Sequence, residues 1–288
     1  MKTLRNLSIF ACLFLLVFIP LSAEAVPPPS PADGNYLALD GVDDHAVLDF
    51  ETFGLLIPKD AEAFTFEAWI YPTTLPKKID AVILSQQVRL YFRNLGPDGG
   101  FRLIGGAHLA RAVGIAEMAS GFLELSLNQW NHVAFQGGKG HKTRVIVNGS
   151  ERVSKGGQGI TLADDISHAE HPQDFTIGGF GKKIQSGIHG DHFWGHFSGY
   201  IDEVRISKVA RYDAKKRNGF FTTLTKFKND AKTVALWHFD EPSGTRKFSD
   251  TSGNAYHLIG KNGAKTDGEF AAVEAEGKLA TIWGRLKR

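Results

Sequence analysis

The chain has 288 residues, 42% of them hydrophobic and 22% charged, with 32 Gly, 21 Phe and one Cys. This composition excludes a disordered tail, a collagen-like repeat and a disulfide-stapled miniprotein. The formal net charge of +2 leaves no overall field to recruit nucleic acid or an anionic membrane.

Met1 to Ala25 reads as a secretory signal: Lys2 and Arg5 make a basic start, Ile9 to Ile19 an apolar stretch, and Ala23-Glu24-Ala25 a small-x-small cleavage site. The apolar stretch is too short to span a bilayer once Pro20 ends it, so no membrane span is expected after cleavage. Cleavage removes Cys12, the only cysteine, so the processed protein works without thiols or disulfides in a secreted, periplasmic or cell-surface setting. Residues 26–34 are proline-rich and read as a linker that joins no sheet ladder.

From Asn35 onward, short strand-like runs alternate with turn residues. Tyr36 to Leu39 and Ala46 to Leu48 flank the turn signal Asp40-Gly41. Phe64 to Tyr71 alternates cleanly, with Phe64, Phe66, Ala68 and Ile70 on one face and Thr65, Glu67, Trp69 and Tyr71 on the other. Ala81 to Ser85, Val88 to Phe92 and Phe101 to Ile104 supply three more strands. Trp130 to Phe135 follows, with Trp130, Val133 and Phe135 expected to fill an interior. Thr143 to Val147 then meets Asn148-Gly149, whose residue types suit the positive φ angles of a type I′ hairpin turn. Asn148-Gly149-Ser150 is also a glycosylation sequon, and the tight turn is the preferred reading. Phe175 to Gly178, Gly199 to Ile206 and Thr233 to Phe239 complete the set, with Ile201, Val204 and Ile206 core-facing; only Ser207 to Asn218 reads as a short helix. So many short strands without crossover helices predict an all-β, two-sheet antiparallel jelly-roll sandwich.

Six of these segments carry recognisable text in order: Ala38 to Val47, Phe64 to Ile70, Trp130 to Ala134, Val145 to Gly149, Ile201 to Ile206, and Trp237 to Glu241 followed by Asp250 to Asn254. Together they resemble the laminin-G-like jelly-roll domain of the concanavalin A-like lectin/glucanase superfamily. The resemblance covers residues 35–263 and leaves 264–288 as a C-terminal tail. It departs from the family pattern at His45, where Tyr is usual, and at Pro242, where Gly is common.

Three chemistries compete for the polar residues. Calcium needs six to eight oxygens, and Asp250-Thr251-Ser252-Gly253-Asn254 offers several beside a sharp bend. Relatives often hold a structural Ca²⁺ at the sandwich rim, so the resemblance adds to this expectation, with Asp44, Asp202, Asp250 and Asn254 the preferred ligands; turn capping is the plainer alternative. A glycosidase needs two carboxyls facing each other across a cleft. No strand repeats acids on one face, Glu67 is single, and Asp202 and Glu203 are adjacent and expected on opposite faces. The loop from His189 to His196 could hold zinc through His189, His192 and His196, or stack a sugar on Phe193 and Trp194. The leading expectation is a secreted, non-enzymatic binding or adhesion module for a glycan or an envelope or matrix protein. A polysaccharide-acting hydrolase of the same superfamily is the alternative, and a structural domain with a calcium-stiffened rim is a third.

Overall fold

The computed structural model describes residues 27–58, 61–76, 80–86, 88–94, 101–108, 115–119, 125–138, 141–151, 173–179, 194–212 and 222–268. The signal segment, the residues of the tail beyond Gly268, Phe193 and the histidines His168, His171, His189 and His192 lie outside them.

The strands in chain order are β1 (Tyr36–Asp40), β2 (His45–Leu48), β3 (Ala63–Pro72), β4 (Asp80–Ser85), β5 (Val88–Asn94), β6 (Phe101–His108), β7 (Ile115–Ala119), β8 (Asn131–Gly138) and β9 (His141–Val147). They continue with β10 (Ser150–Glu151), β11 (Phe175–Ile177), β12 (Trp194–His196), β13 (Ser198–Ser207), β14 (Thr233–Trp237), β15 (Lys247–Phe248), β16 (Leu258–Lys261) and β17 (Lys265–Asp267). They form two sheets. The first runs β10-β9-β8-β3-β13-β1-β17, with β14 also on β13; the second runs β15-β16-β2-β11-β4-β5-β6-β7, with β12 also on β4. Every pairing is antiparallel except β12 with β4. The expected two-sheet sandwich is therefore present.

β3 shows why the layers stack. Its Phe64, Phe66, Ala68 and Ile70 enter the main apolar cluster, where they meet Val133 and Phe135 of β8, Ile201, Val204 and Ile206 of β13, and the ring of Trp237 from β14. Trp237 lies nearly parallel to Phe175 of the opposite sheet, ring centroids 5.4 Å apart, so the two layers interlock through aromatic rings. Each buried Phe contributes on the order of 2 kcal/mol by leaving water. Close approach is enforced at Gly105 of β6, where a Cβ would fall 2.1 Å from the ring of Phe135.

Trp130 departs from the expected interior position. It is half-buried on the outer face of the first sheet, against Tyr36 and Tyr71, and its indole N–H donates to the Pro28 carbonyl at 2.9 Å. The proline-rich segment is thus docked: Ser30 and Ala32 are buried, and Ser30 donates to the carboxylate of Asp202. At the other end, β17 pairs with β1 and carries the sheet beyond Gly263. The hairpin turn is as expected, with Asn148 at φ 49° and Gly149 at φ 76°. The Asn148 side chain folds back on its neighbour strand, accepting from the His132 amide at 2.9 Å and donating to Asn131.

The helix expected from Ser207 onward is absent in its described part. Ser207 ends β13, and 208–212 form an irregular segment. Its backbone groups are used for tertiary contacts instead: Thr65 donates to the Val209 carbonyl and Gln136 clasps the backbone of Tyr212 at both N–H and C=O. The single helix among the described residues is one turn, α1 (Phe50–Phe53), capped by Asp49 accepting from the Thr52 amide and closed by Gly54 at φ 68°.

Candidate functional site

The outer face of the first sheet carries an unusual load of charge. On β3, Glu67 stands on the side opposite the core, where β13 brings Arg205 to the same level. The pairing spans 138 residues of sequence, and Nε of Arg205 donates to Oε1 of Glu67 at 2.8 Å. The Tyr212 hydroxyl donates to Oε2 at 2.7 Å, His132 of β8 places Nε2 3.7 Å from the same oxygen, and Arg211 lies 3.8 Å from Oε1. Glu67 and His132 are sealed from solvent.

Burial alone would push the Glu67 carboxyl up. His132 and Arg205 more than offset this and hold it at about 2. We give Arg205 the larger share, because its contact is at bonding distance and that of His132 is not. Burial, and then the charge of Glu67, push the Tyr212 phenol well above its ordinary value, so it stays a hydrogen-bond donor. Arg211 donates from both terminal nitrogens to Asp230 at 2.9 Å, and that bidentate bond holds the Asp230 carboxyl well below the usual range.

Above this cluster opens a recess of about 410 Å³, within the range of small-ligand sites. Its described lining includes Glu67, Arg205, Arg211, Tyr212, Lys228 and Asp230. Both carboxyls on the recess are held ionised by arginines, so neither can serve as a proton donor at neutral pH.

The carboxyls expected as calcium ligands are not brought together. Asp44 groups with Asp40 and Asp43, their nearest oxygens within 4.8 Å, the one such group among the described residues. Much of that group is already committed to the turn: Oδ1 of Asp40 accepts from the Val42 amide at 2.7 Å, and Asp44 accepts from the amides of Asp40 and Gly263. With oxygens of Asp40 and Asp44 already bonded to backbone amides, the three carboxylates fit calcium only in part. Asp250 accepts from the amides of Leu236, Ser252 and Tyr256 and from the Ser252 hydroxyl, while Asn254 donates to the Val234 carbonyl at 2.8 Å. Asp250 thus caps its turn and Asn254 ties that turn to β14.

Asp202 lies elsewhere again, and the expectation that it and Glu203 face opposite ways is overturned. β13 carries an extra residue between Asp202 and Arg205, with Glu203 at φ 51°. This bulge turns Glu203 to the outer side as well. There it accepts from the Phe227 amide at 2.6 Å and meets His238 at 2.6 Å. Burial and the neighbouring charge of Glu203 push the Asp202 carboxyl well above its ordinary value, although the Ser30 bond opposes the shift. The same bulge explains why core residues fall at 201, 204 and 206 rather than at alternate positions.

Trp194 opens β12, paired with Asp80, and His196 ends it, its ring 5.9 Å from that of His45. Sequence reasoning missed Arg205, Arg211, Tyr212, His132 and Asp230. The one available signal was a pair of opposite charges, Glu67 and Arg205, each inside an otherwise apolar strand.

Among known proteins, the family model of the concanavalin A-like lectin/glucanases superfamily, laminin-G type, matches residues 40–215. No curated protein sequence matches the chain. Two solved structures are similar in part. One is Trypanosoma rangeli sialidase in complex with sialic acid, 18% identical, covering 62% of this chain and 26% of that one at a TM-score of 0.39. The other is the full-length tailspike protein 2 of Escherichia coli bacteriophage CAB120, 15% identical, covering 75% and 28% at a TM-score of 0.43. This chain therefore spans about a quarter of the length of each. The family match covers more than half of the chain, and with the two-sheet sandwich it identifies this protein as a member of the concanavalin A-like lectin/glucanases superfamily.

Proposed function

We propose that the processed chain is an exported, non-enzymatic binding module whose ligand is a glycan held in the recess over Glu67. The observation that carries this reading is the charge state of the recess. Glu67 and Asp230 are both locked as carboxylates by Arg205 and Arg211. A glycosidase needs one carboxyl that still holds a proton. Fixed charges and hydroxyls around a concave space suit recognition without bond breaking. Export rests on the signal-like residues 1–25; no helix among the described residues is long and apolar enough to cross a membrane.

A second reading, hydrolysis, draws on Asp202 and Glu203, which the bulge turns to one side with the first carboxyl raised. Against it, both are fully buried, and Ser30 sits on Asp202. A glycan array with the processed chain, run beside a reducing-sugar assay, separates the two readings. Binding without sugar release is expected; release that disappears in Glu203→Gln would replace the binding reading with the hydrolytic one. Calcium enters only as an accessory at the Asp40–Asp44 turn. A melting temperature that climbs with millimolar calcium keeps it there and a flat one removes it, with the binding reading standing either way.

A further inference from the structure

Two side chains on the recess keep donor capacity that the protein does not use internally. Arg205 donates Nε to Glu67 and Nη1 to the Lys228 carbonyl, while its Nη2 makes no hydrogen bond among the described residues. The residue is only 5% exposed, yet Nη2 is not sealed from solvent, and Arg205 lines the recess. Its plane is fixed from a third side by Phe227, whose ring centroid lies 4.6 Å from the guanidinium carbon. Lys228, exposed on the same rim, has no carboxylate partner among the described residues. Arg211 is different: Nε bonds Ser207 and both terminal nitrogens bond Asp230. Glu67 and Asp230 therefore neutralise Arg205 and Arg211 pairwise. The charge of Lys228 and the spare N–H of Arg205 are left over.

We infer that the recess recognises an anionic saccharide, whose carboxylate or sulfate oxygens accept from Nη2 of Arg205 and Nζ of Lys228. This deepens the binding reading above and rests on it. The guanidinium is already oriented by Glu67, the Lys228 carbonyl and Phe227, so little freedom is lost when an oxyanion arrives. A saccharide fits better than an acidic peptide. An extended peptide gains its affinity by adding a strand to an exposed sheet edge, whereas here the recess stands on β3, flanked on both sides by β8 and β13. Thr222 and the Asp230 carboxylate complete the lining with groups that bond ring hydroxyls.

Calorimetric titration of the processed full chain decides it. The probes are a galacturonic acid oligomer, its carboxyl-reduced neutral counterpart, a sulfated dextran oligomer with plain dextran as its neutral control, and polyglutamate. At least one acidic saccharide is expected to bind ten times or more tighter than its neutral control, and to weaken as salt rises. Whether the galacturonic or the sulfated oligomer binds more tightly identifies the anionic group. Lys228→Ala leaves the Glu67–Arg205 pair intact, so it is expected to keep the wild-type melting temperature and weaken the acidic probe about fivefold. Equal binding of charged and neutral saccharides, or an unaffected Lys228→Ala, overturns the anion inference while leaving a glycan-binding module. Tighter capture of polyglutamate overturns the saccharide assignment. Binding to no saccharide at all, neutral or charged, overturns the module reading together with the inference.

Discussion

Glu67→Gln removes one charge from a sealed cluster while keeping its shape, and the structure allows the cost to be worked in two ways. The carboxyl is brought from 4.5 to about 2 by its surroundings, which corresponds to about 3 kcal/mol of native stability at neutral pH. Independently, removing one member of a buried ion pair leaves the other uncompensated and costs about 3–5 kcal/mol. The two routes agree, so Glu67→Gln is expected to lose about 3 kcal/mol at pH 7. The sign of the pH dependence follows from the depressed carboxyl. Its contribution is complete above the unfolded value near 4.5 and disappears as pH falls through about 2. Denaturant unfolding of both proteins between pH 7 and pH 2.5 therefore gives a stability difference that narrows only below pH 4.5. A variant within 1 kcal/mol of wild type at pH 7, or curves that stay parallel into acid, would refute this account of the cluster.

Three further outcomes follow from other contacts. Asp230→Asn removes a bidentate bond to Arg211, but Asp230 is 47% exposed, so the loss by the same assay should stay below about 1 kcal/mol. Asp202→Asn should flatten the pH profile: the raised carboxyl stabilises the native state fully below the unfolded value and loses that effect as pH rises through its folded one. An identical wild-type and Asp202→Asn profile would show that Asp202 titrates normally. Gly105→Ala places a methyl on the Phe135 ring and should cost about 1–3 kcal/mol. Combining it with Phe135→Leu should cost less than the sum of the separate losses, and strict additivity would contradict the packing.

Strands were legible wherever burial on one face imposes alternation, as in Phe64 to Tyr71, and the turn at Asn148-Gly149 was legible because few residue types tolerate its backbone. The charged outer face was not. Ser30 with Asp202 and Glu67 with Arg205 meet across 172 and 138 residues, and nothing local in either member encodes the other. The bulge at Glu203 is hidden for a different reason: glutamate carries no sequence preference for a positive φ, so adjacency wrongly implied opposite faces. The helical reading of Ser207 onward failed because Arg211 and Tyr212 are ordered by tertiary partners rather than by their own turn. Asp44 and Asp250 have the right chemistry for a cation, but backbone amides close by in sequence already bond their carboxylates, and Asn254 is tied through its side-chain N–H to the Val234 carbonyl.

The pairing of β1 with β17 has a bearing on the order of folding. Tyr36 meets Asp267 in register, so one side of β1 stays unpaired until β17, the last described strand, reaches it. Closing so long a loop is slow and entropically costly. The seam between β1 and β17 is therefore closed only when two distant parts of the chain meet, which makes it a late event in folding.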